Sequence, residues 1–118
     1  MSAEDVDRFL SDPRTAIGSD GLPRDPRPHP RLWGTFPRVL GHYVRQRRLL
    51  ALEAAIHKMT GLTAQRFGLA ARGELRVGAA ADVTVFDAEQ VLDRATFDVP
   101  IAAPTGIRWV LVNGRIAV

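Results

Sequence analysis

The chain contains no cysteine, and this absence excludes disulfide bonds and thiolate metal ligands. It also fits a reducing compartment, so we expect a cytoplasmic location. No apolar run approaches the roughly 20 residues that a membrane helix needs. Residues 1–7 are acidic and lack the apolar stretch of a signal peptide. The sequence therefore predicts neither a membrane partner nor a secretion signal.

Lysine is almost absent as well, because Lys58 is the only one. The net charge of +3 comes from arginine, and most of the surplus lies between Arg24 and Arg48 among prolines and apolar residues. A nucleic-acid-binding surface normally gathers both lysine and arginine on one helix face. We therefore expect no nucleic-acid partner, although a non-enzymatic basic binding module remains one alternative for the function.

The chain's 118 residues, 46% of them hydrophobic and 25% charged, have the composition of a folded domain or part of one. Ser2 and Asp5 form a capping-box pattern at the start of a helix, which Asp12 and Pro13 would end. Apolar residues at helical spacing predict three more helices. These helices lie at about residues 36–48, 52–59 and 64–67, and Gly61 is expected to close the second of them.

Asp20 is the main candidate for a catalytic group. A short apolar run at residues 15–17 leads to this acid, and glycines stand at positions 18 and 21. The pattern predicts a β-strand that presents one carboxylate at its C-terminal tip. In α/β proteins, catalytic groups collect at such tips and in the loops that follow.

Residues 21–37 contain five prolines, so we expect an irregular segment without helix or strand. The large apolar residues Leu32, Trp33 and Phe36 indicate an ordered loop that packs on the rest of the protein. A long ordered loop directly after a catalytic candidate favours a role in function.

The last third of the chain has the pattern of β-structure. Residues 74–77 alternate in polarity, residues 82–86 are rich in β-branched side chains, and residues 107–118 form a hairpin pattern around Asn113 and Gly114. An Asn-Gly pair between apolar runs predicts a type I′ turn.

Five segments together resemble the C-terminal portion of the N-acyl-D-amino-acid deacylases, or D-aminoacylases, in the metal-dependent amidohydrolase superfamily. The resemblance covers nearly the whole chain, and its first two segments are the more specific ones. The segments are IGSDGLP at residues 17–23, HPRLWGTFPRVLG at 29–41, KMTGLTAQRFGL at 58–69, RGELRVG with ADVTVFD at 72–78 and 81–87, and VNG at 112–114.

The resemblance implies an α/β fold in which this chain is a C-terminal fragment of a (β/α)8 TIM-barrel amidohydrolase. Residues 1–72 would form the end of the barrel, with its last strand, the long loop and the following helices. Residues 73–118 would form part of a small β-sandwich. The missing N-terminal portion of the barrel would be the protein partner of this fragment.

The resemblance implies a role for Asp20, and the position of Arg31 in the loop near it suggests a second site residue. Asp20 matches the family's general acid/base beside the metal, where a carboxylate takes a proton from the attacking water and passes it to the leaving amine. Arg31, in the loop after it, is our candidate for binding the substrate's carboxylate, since arginine suits two-point carboxylate recognition.

The family's cofactor is zinc, but its ligand pattern has no counterpart in this sequence. His29, His42 and His57 are isolated from one another, so we expect no metal site in this chain and an inactive isolated fragment. The implied substrate is an N-acyl-D-amino acid, hydrolysed to a carboxylate and a D-amino acid. A cyclic amidohydrolase of the dihydroorotase or hydantoinase type is the enzymatic alternative, and the long loop rich in proline and arginine argues against it.

Overall fold

The structure, a computed structural model, describes residues 2–118. Four α-helices, one π-helical segment and three β-strands follow one another along the chain. They are α1 (Ala3–Ser11), α2 (Arg31–Arg38), the π-helical segment (Val39–Gln46), α3 (Leu52–Met59), α4 (Gly61–Arg66), β1 (Val83–Phe86), β2 (Ile107–Val112) and β3 (Arg115–Ile116).

Helix α1 begins with the predicted capping box. The Ser2 hydroxyl accepts a hydrogen bond from the Asp5 backbone N–H at 3.1 Å, and the Asp5 carboxylate accepts one from the Ser2 N–H at 2.9 Å. Both bonds satisfy backbone donors that a helix start leaves without intrahelical partners. The helix ends before Asp12, as the Asp12-Pro13 pair predicted.

The predicted strand that leads to Asp20 is wrong, because residues 15–20 carry no strand in the structure. A strand requires a ladder of hydrogen bonds to a neighbour, and residues 2–118 place no strand beside this segment. In place of a ladder, the Ile17 N–H donates one backbone–backbone bond to the Lys58 carbonyl at 3.2 Å, and the side chains of Lys58 and Arg31 donate to the Thr15 and Asp20 carbonyls.

The prediction of an irregular segment through residue 37 is also wrong at its C-terminal end. Helix α2 starts at Arg31 and contains Pro37. Proline has no N–H and removes one helical hydrogen bond. From Val39, two residues after Pro37, the helix continues in π-helical form, and its C-terminal bonds include Arg47 N–H to the His42 carbonyl at 2.9 Å. The amphipathic helix predicted from Phe36 therefore exists, but with a wider turn.

Helix α3 has the predicted bounds, but the expected role of Gly61 is wrong. Thr60 ends α3 and has a backbone φ of −129° and ψ of −89°. This bend lets Gly61 begin α4 instead of closing α3. The third predicted helix therefore starts three residues early, and Gly68 follows it with φ +64°.

The β-strands form one antiparallel sheet in the order β1-β2-β3. The hairpin between β2 and β3 turns at Asn113 and Gly114, whose φ values of 50° and 74° fit the predicted type I′ turn. Residues 74–77 form no strand, contrary to their alternating pattern. Within residues 2–118 there is thus one three-stranded sheet, and both the β-sandwich and its boundary at residue 73 remain predictions.

The small buried core lies where the π-helical segment meets α3, α4 and residues 88–95. Gly41 in the π-helical segment lies against this last stretch, and a Cβ there would come within 2.5 Å of the Val91 carbonyl oxygen. Arg45 donates to the Ala88 and Val91 carbonyls at 3.1 and 2.8 Å. The buried apolar residues are Val39, Leu40, Ala55, Leu62, Ala64 and Val91.

We expect Gly41→Ala to lower the free energy of unfolding by about 1–2 kcal/mol. Overpacking against fixed backbone typically costs about 1–3 kcal/mol, and the higher helix propensity of alanine offsets at most about 1 kcal/mol of it. Urea titrations of the two variants Gly41→Ala and Gly18→Ala test this, because a Cβ on Gly18 meets nothing within 4 Å. Equal midpoints would show that the contact at Gly41 does not constrain the fold.

None of the helices within residues 2–118 has the length and apolarity to cross a bilayer.

Candidate functional site

Asp20 lies in a tight turn that its neighbours define. Its backbone φ is +48°, a left-handed conformation that aspartate tolerates better than most residues. The Ser19 hydroxyl accepts a hydrogen bond from the Gly21 N–H at 3.3 Å. A Cβ on Gly21 would lie only 2.8 Å from Leu32 Cα, so the glycine lets this turn rest on the first turn of α2.

The structure brings the two predicted site residues together. Arg31 donates from Nε to the Asp20 backbone carbonyl at 3.0 Å, and its Nη2 lies 3.0 Å from Asp20 Oδ2. The Asp20 side chain is 86% exposed and the Arg31 side chain 41% exposed. An ion pair this open to solvent contributes at most about 1 kcal/mol to stability. The pair therefore presents an anionic and a cationic group side by side on the surface.

His29 orients the start of α2, a role that the sequence analysis missed. Its Nδ1 accepts a hydrogen bond from the Arg31 backbone N–H at 3.1 Å, so the imidazole satisfies one donor of the helix start. Its ring meets the Phe97 ring edge-on, with centroids 5.0 Å apart. The only sequence signal was the position of His29 two residues before Arg31.

The segment that leads to Asp20 is held from α3 and α4. Lys58 Nζ donates to the Asp12 and Thr15 carbonyls, the latter at 3.1 Å, and the Lys58 carbonyl accepts from the Ile17 N–H. Lys58 is only 4% exposed. Burial lowers the pKa of its ammonium, while the negative charge of Asp12 opposes that shift. Arg66 adds a bond to the Arg14 carbonyl at 3.1 Å.

Residues 2–118 contain no group of three histidine, aspartate or glutamate side chains placed to hold a metal ion. The imidazole of His42 contacts Gln46 at 3.1 Å, and His29 contacts α2 and Phe97. A zinc site normally needs at least three protein ligands. The described residues therefore do not fit a zinc site by themselves.

We expect the purified chain to hold zinc well below one equivalent after dialysis against metal-free buffer. Elemental analysis by mass spectrometry checks this, with a zinc-binding protein treated in parallel as the control. One tightly held zinc per chain would contradict the ligand argument.

Comparison with protein families matches residues 3–118 to the model described as the amidohydrolase family. This match covers nearly the whole chain. The chain belongs to the amidohydrolase family.

Curated relatives show which members of this family the chain resembles. The chain is 60% identical over 114 residues to D-aminoacylase from Alcaligenes xylosoxydans xylosoxydans. It is 57% identical over 115 residues to N-acyl-D-aspartate deacylase from the same organism. The aligned parts are 97% and 98% of this chain, but only 24% and 23% of these relatives. The family expected from the sequence motifs is thus confirmed, and the chain spans about a quarter of the length of its relatives.

A solved structure agrees with the sequence comparison. The chain superposes with a TM-score of 0.96 on N-acyl-D-glutamate deacylase from Bordetella bronchiseptica, at 56% identity, covering 98% of this chain and 24% of that one. That relative was solved with zinc and a phosphonate inhibitor that mimics the tetrahedral intermediate of its reaction. The fold of residues 2–118 is therefore that of part of an amidohydrolase of this kind.

Proposed function

We propose that this chain is the C-terminal portion of an amidohydrolase that hydrolyses N-acyl-D-amino acids to a carboxylate and a free D-amino acid. The observation that carries the proposal is the Asp20–Arg31 pair, presented together on a chain about 60% identical to part of a D-aminoacylase. Residues 1–72 would belong to the end of the barrel, and residues 73–118 would contribute to a β-sandwich.

Asp20 is proposed as the general acid/base. Its carboxylate accepts a proton from the water that attacks the amide carbon, and the C–O bond forms. The same proton then passes to the amide nitrogen as the C–N bond breaks, so that the leaving group departs as an amine. The turn at residues 19–21 leaves the Asp20 side chain 86% exposed, so the carboxylate is accessible to a substrate.

Arg31 is proposed to bind the carboxylate of the D-amino acid. A guanidinium recognises a carboxylate through two parallel N–H donors. Its Nε bond to the Asp20 carbonyl fixes the side chain at a set distance from the acid. This arrangement would place the substrate's carboxylate beside Arg31 while the scissile amide lies near Asp20.

Zinc, the proposed cofactor, would be held by ligands outside residues 2–118, in the missing N-terminal portion of the barrel. What the described residues supply is proton transfer and carboxylate binding. The isolated chain is therefore expected to be inactive. The cytoplasmic location also stays a prediction.

A chimeric enzyme tests the proposed function. In it, the 114 residues of the Alcaligenes D-aminoacylase that match this chain are replaced by those of this chain. We expect hydrolysis of N-acetyl-D-amino acids, with no hydrolysis of hydantoins or dihydroorotate. Preferred cleavage of either cyclic substrate would favour the cyclic amidohydrolase alternative and contradict the proposal.

The basic-module alternative has its own test on the isolated chain. Binding to duplex DNA or RNA with affinity falling steeply with salt would favour that reading. We expect no such binding.

A further inference from the structure

Lys58 is a buried charged residue that the proposed reaction does not use. Its ammonium donates to the Asp12 and Thr15 carbonyls, and its own carbonyl accepts from the Ile17 N–H at 3.2 Å and from the Thr63 hydroxyl at 3.0 Å. The side chain comes from α3, more than 40 residues away along the chain. One residue therefore makes three bonds to the segment that leads to Asp20.

Burial of an ammonium group is unfavourable unless its hydrogen bonds are made, and lysine is rarely buried this far. A methionine at position 58 would fill a similar volume without that desolvation cost. It would remove the ammonium donor from two backbone carbonyls, of which that of Asp12 still accepts from the Thr15 N–H at 3.1 Å. The bonds that the ammonium donates to the backbone of residues 12–17 therefore explain why a charged residue is buried at position 58.

This backbone has few other constraints. Within residues 2–118 no strand pairs with it, and beyond the bonds from Lys58 it is tied to α4 by the exposed Arg66. The remaining bonds are local ones, such as those from Arg14 and from the Thr15 N–H to Asp12. Only Gly18 and Ser19 separate Ile17, the last residue bonded to Lys58, from Asp20. A displacement of the Ile17 backbone would therefore also displace Asp20, because only two residues separate them.

We propose that Lys58 is a positioning residue for Asp20: its ammonium holds the carbonyls of Asp12 and Thr15. This keeps Ile17 in place for the bond that its N–H donates to the main-chain carbonyl of Lys58, and so fixes where the turn at Asp20 begins. The effect on catalysis rests on the function proposed above, whereas the effect on the backbone does not. Displacement of a catalytic group by about 1 Å lowers rates by up to about 100-fold.

The experiment compares Lys58→Met with Arg66→Met in the chimeric enzyme. Both variants remove bonds from the same pair of helices to the same segment, but Arg66 is exposed and bonds Arg14, farther from Asp20. We expect Lys58→Met to lower kcat about 10- to 100-fold per zinc-loaded folded enzyme, with KM within about twofold of the parent. Arg66→Met should change both constants less than about twofold. Lys58→Arg, which keeps a cationic donor, should regain part of the lost kcat.

A lysine with a purely structural role would lower the yield of folded, zinc-loaded enzyme and leave its kcat unchanged, and that result would overturn the proposal. Lys58→Gln is made in parallel, so that a variant that does not fold can be replaced. Hydrogen exchange of the Ile17 amide in the isolated chain gives an independent measure. We expect faster exchange in Lys58→Met than in Arg66→Met, and equal rates would also overturn the proposal. If the parent chimera is inactive, the proposed function fails, and the exchange measurement alone decides the role of Lys58.

Discussion

Asp20→Asn in the chimeric enzyme is expected to lower kcat for an N-acetyl-D-amino acid by about 10²–10⁴-fold. The amide has nearly the same size and shape as the carboxylate, but it cannot accept the proton of the attacking water. The turn has no other requirement for the charge, since the ion pair with Arg31 is solvent-exposed and contributes little to stability. Steady-state kinetics, together with zinc content and the thermal midpoint of each variant, measure this effect.

Asp25→Asn is the matched control for Asp20→Asn. Asp25 is an exposed aspartate in the same loop, where its carboxylate accepts a hydrogen bond from the Arg27 N–H at 3.0 Å. We expect this control to keep kcat within about twofold of the parent. A similar kcat for Asp20→Asn and the parent chimera would exclude Asp20 as the proton-transfer group.

Arg31→Met is expected to lower kcat/KM for an N-acetyl-D-amino acid by about 10- to 150-fold. Hydrogen bonds to a charged group contribute about 1.5–3 kcal/mol, and each 1.4 kcal/mol corresponds to a factor of about ten. Arg31→Lys keeps the charge but loses the planar two-point geometry, so an intermediate value is expected.

A substrate that lacks the carboxylate distinguishes substrate binding by Arg31 from a structural role of Arg31 in the turn at Asp20. The N-acetyl-D-amino acid amide has no anion for Arg31 to bind, so the parent chimera and Arg31→Met should hydrolyse it at similar rates. Arg38→Met is the control, because Arg38 pairs with Asp93 at 3.1 Å on another part of α2. Equal losses on the acid and on the amide would show that Arg31 supports the turn rather than the substrate.

Local patterns in the sequence predicted the elements that local chemistry determines. The capping box at Ser2, the bounds of α3 and the turn at Asn113 each depend on residues within a few positions of one another. The structure confirms all three. The family was also predictable, because its motifs lie within short continuous segments.

The errors share a different cause, which is dependence on distant parts of the chain. The run at residues 15–17 has strand-like composition, but residues 2–118 offer it no neighbouring strand. The prolines of residues 21–37 predict an irregular segment, whereas α2 contains Pro37, which is buried, and a π-helical segment follows from Val39. Residues 74–77 alternate in polarity without pairing. In each case pairing or packing, rather than propensity, decides the conformation.

The candidate site also combines features that local sequence predicts with features that depend on distant parts of the chain. Asp20 was predicted from a local pattern and Arg31 from its chemistry and its place in the loop after Asp20, and the structure places Arg31 Nη2 3.0 Å from Asp20 Oδ2. His29 and Lys58 were missed as contributors, for different reasons. The bond of His29 to the Arg31 N–H is local but has no strong sequence signature. The bonds of Lys58 join α3 to residues 12–17, and no spacing rule connects positions so far apart.

The most direct test is a crystal structure of the chimeric enzyme with zinc and a phosphonate analogue of an N-acyl-D-amino acid. We predict a hydrogen bond between the Asp20 carboxylate and a phosphonate oxygen, with the Arg31 guanidinium on the carboxylate of the same ligand. A ligand bound with either side chain out of contact would contradict the roles assigned to this pair.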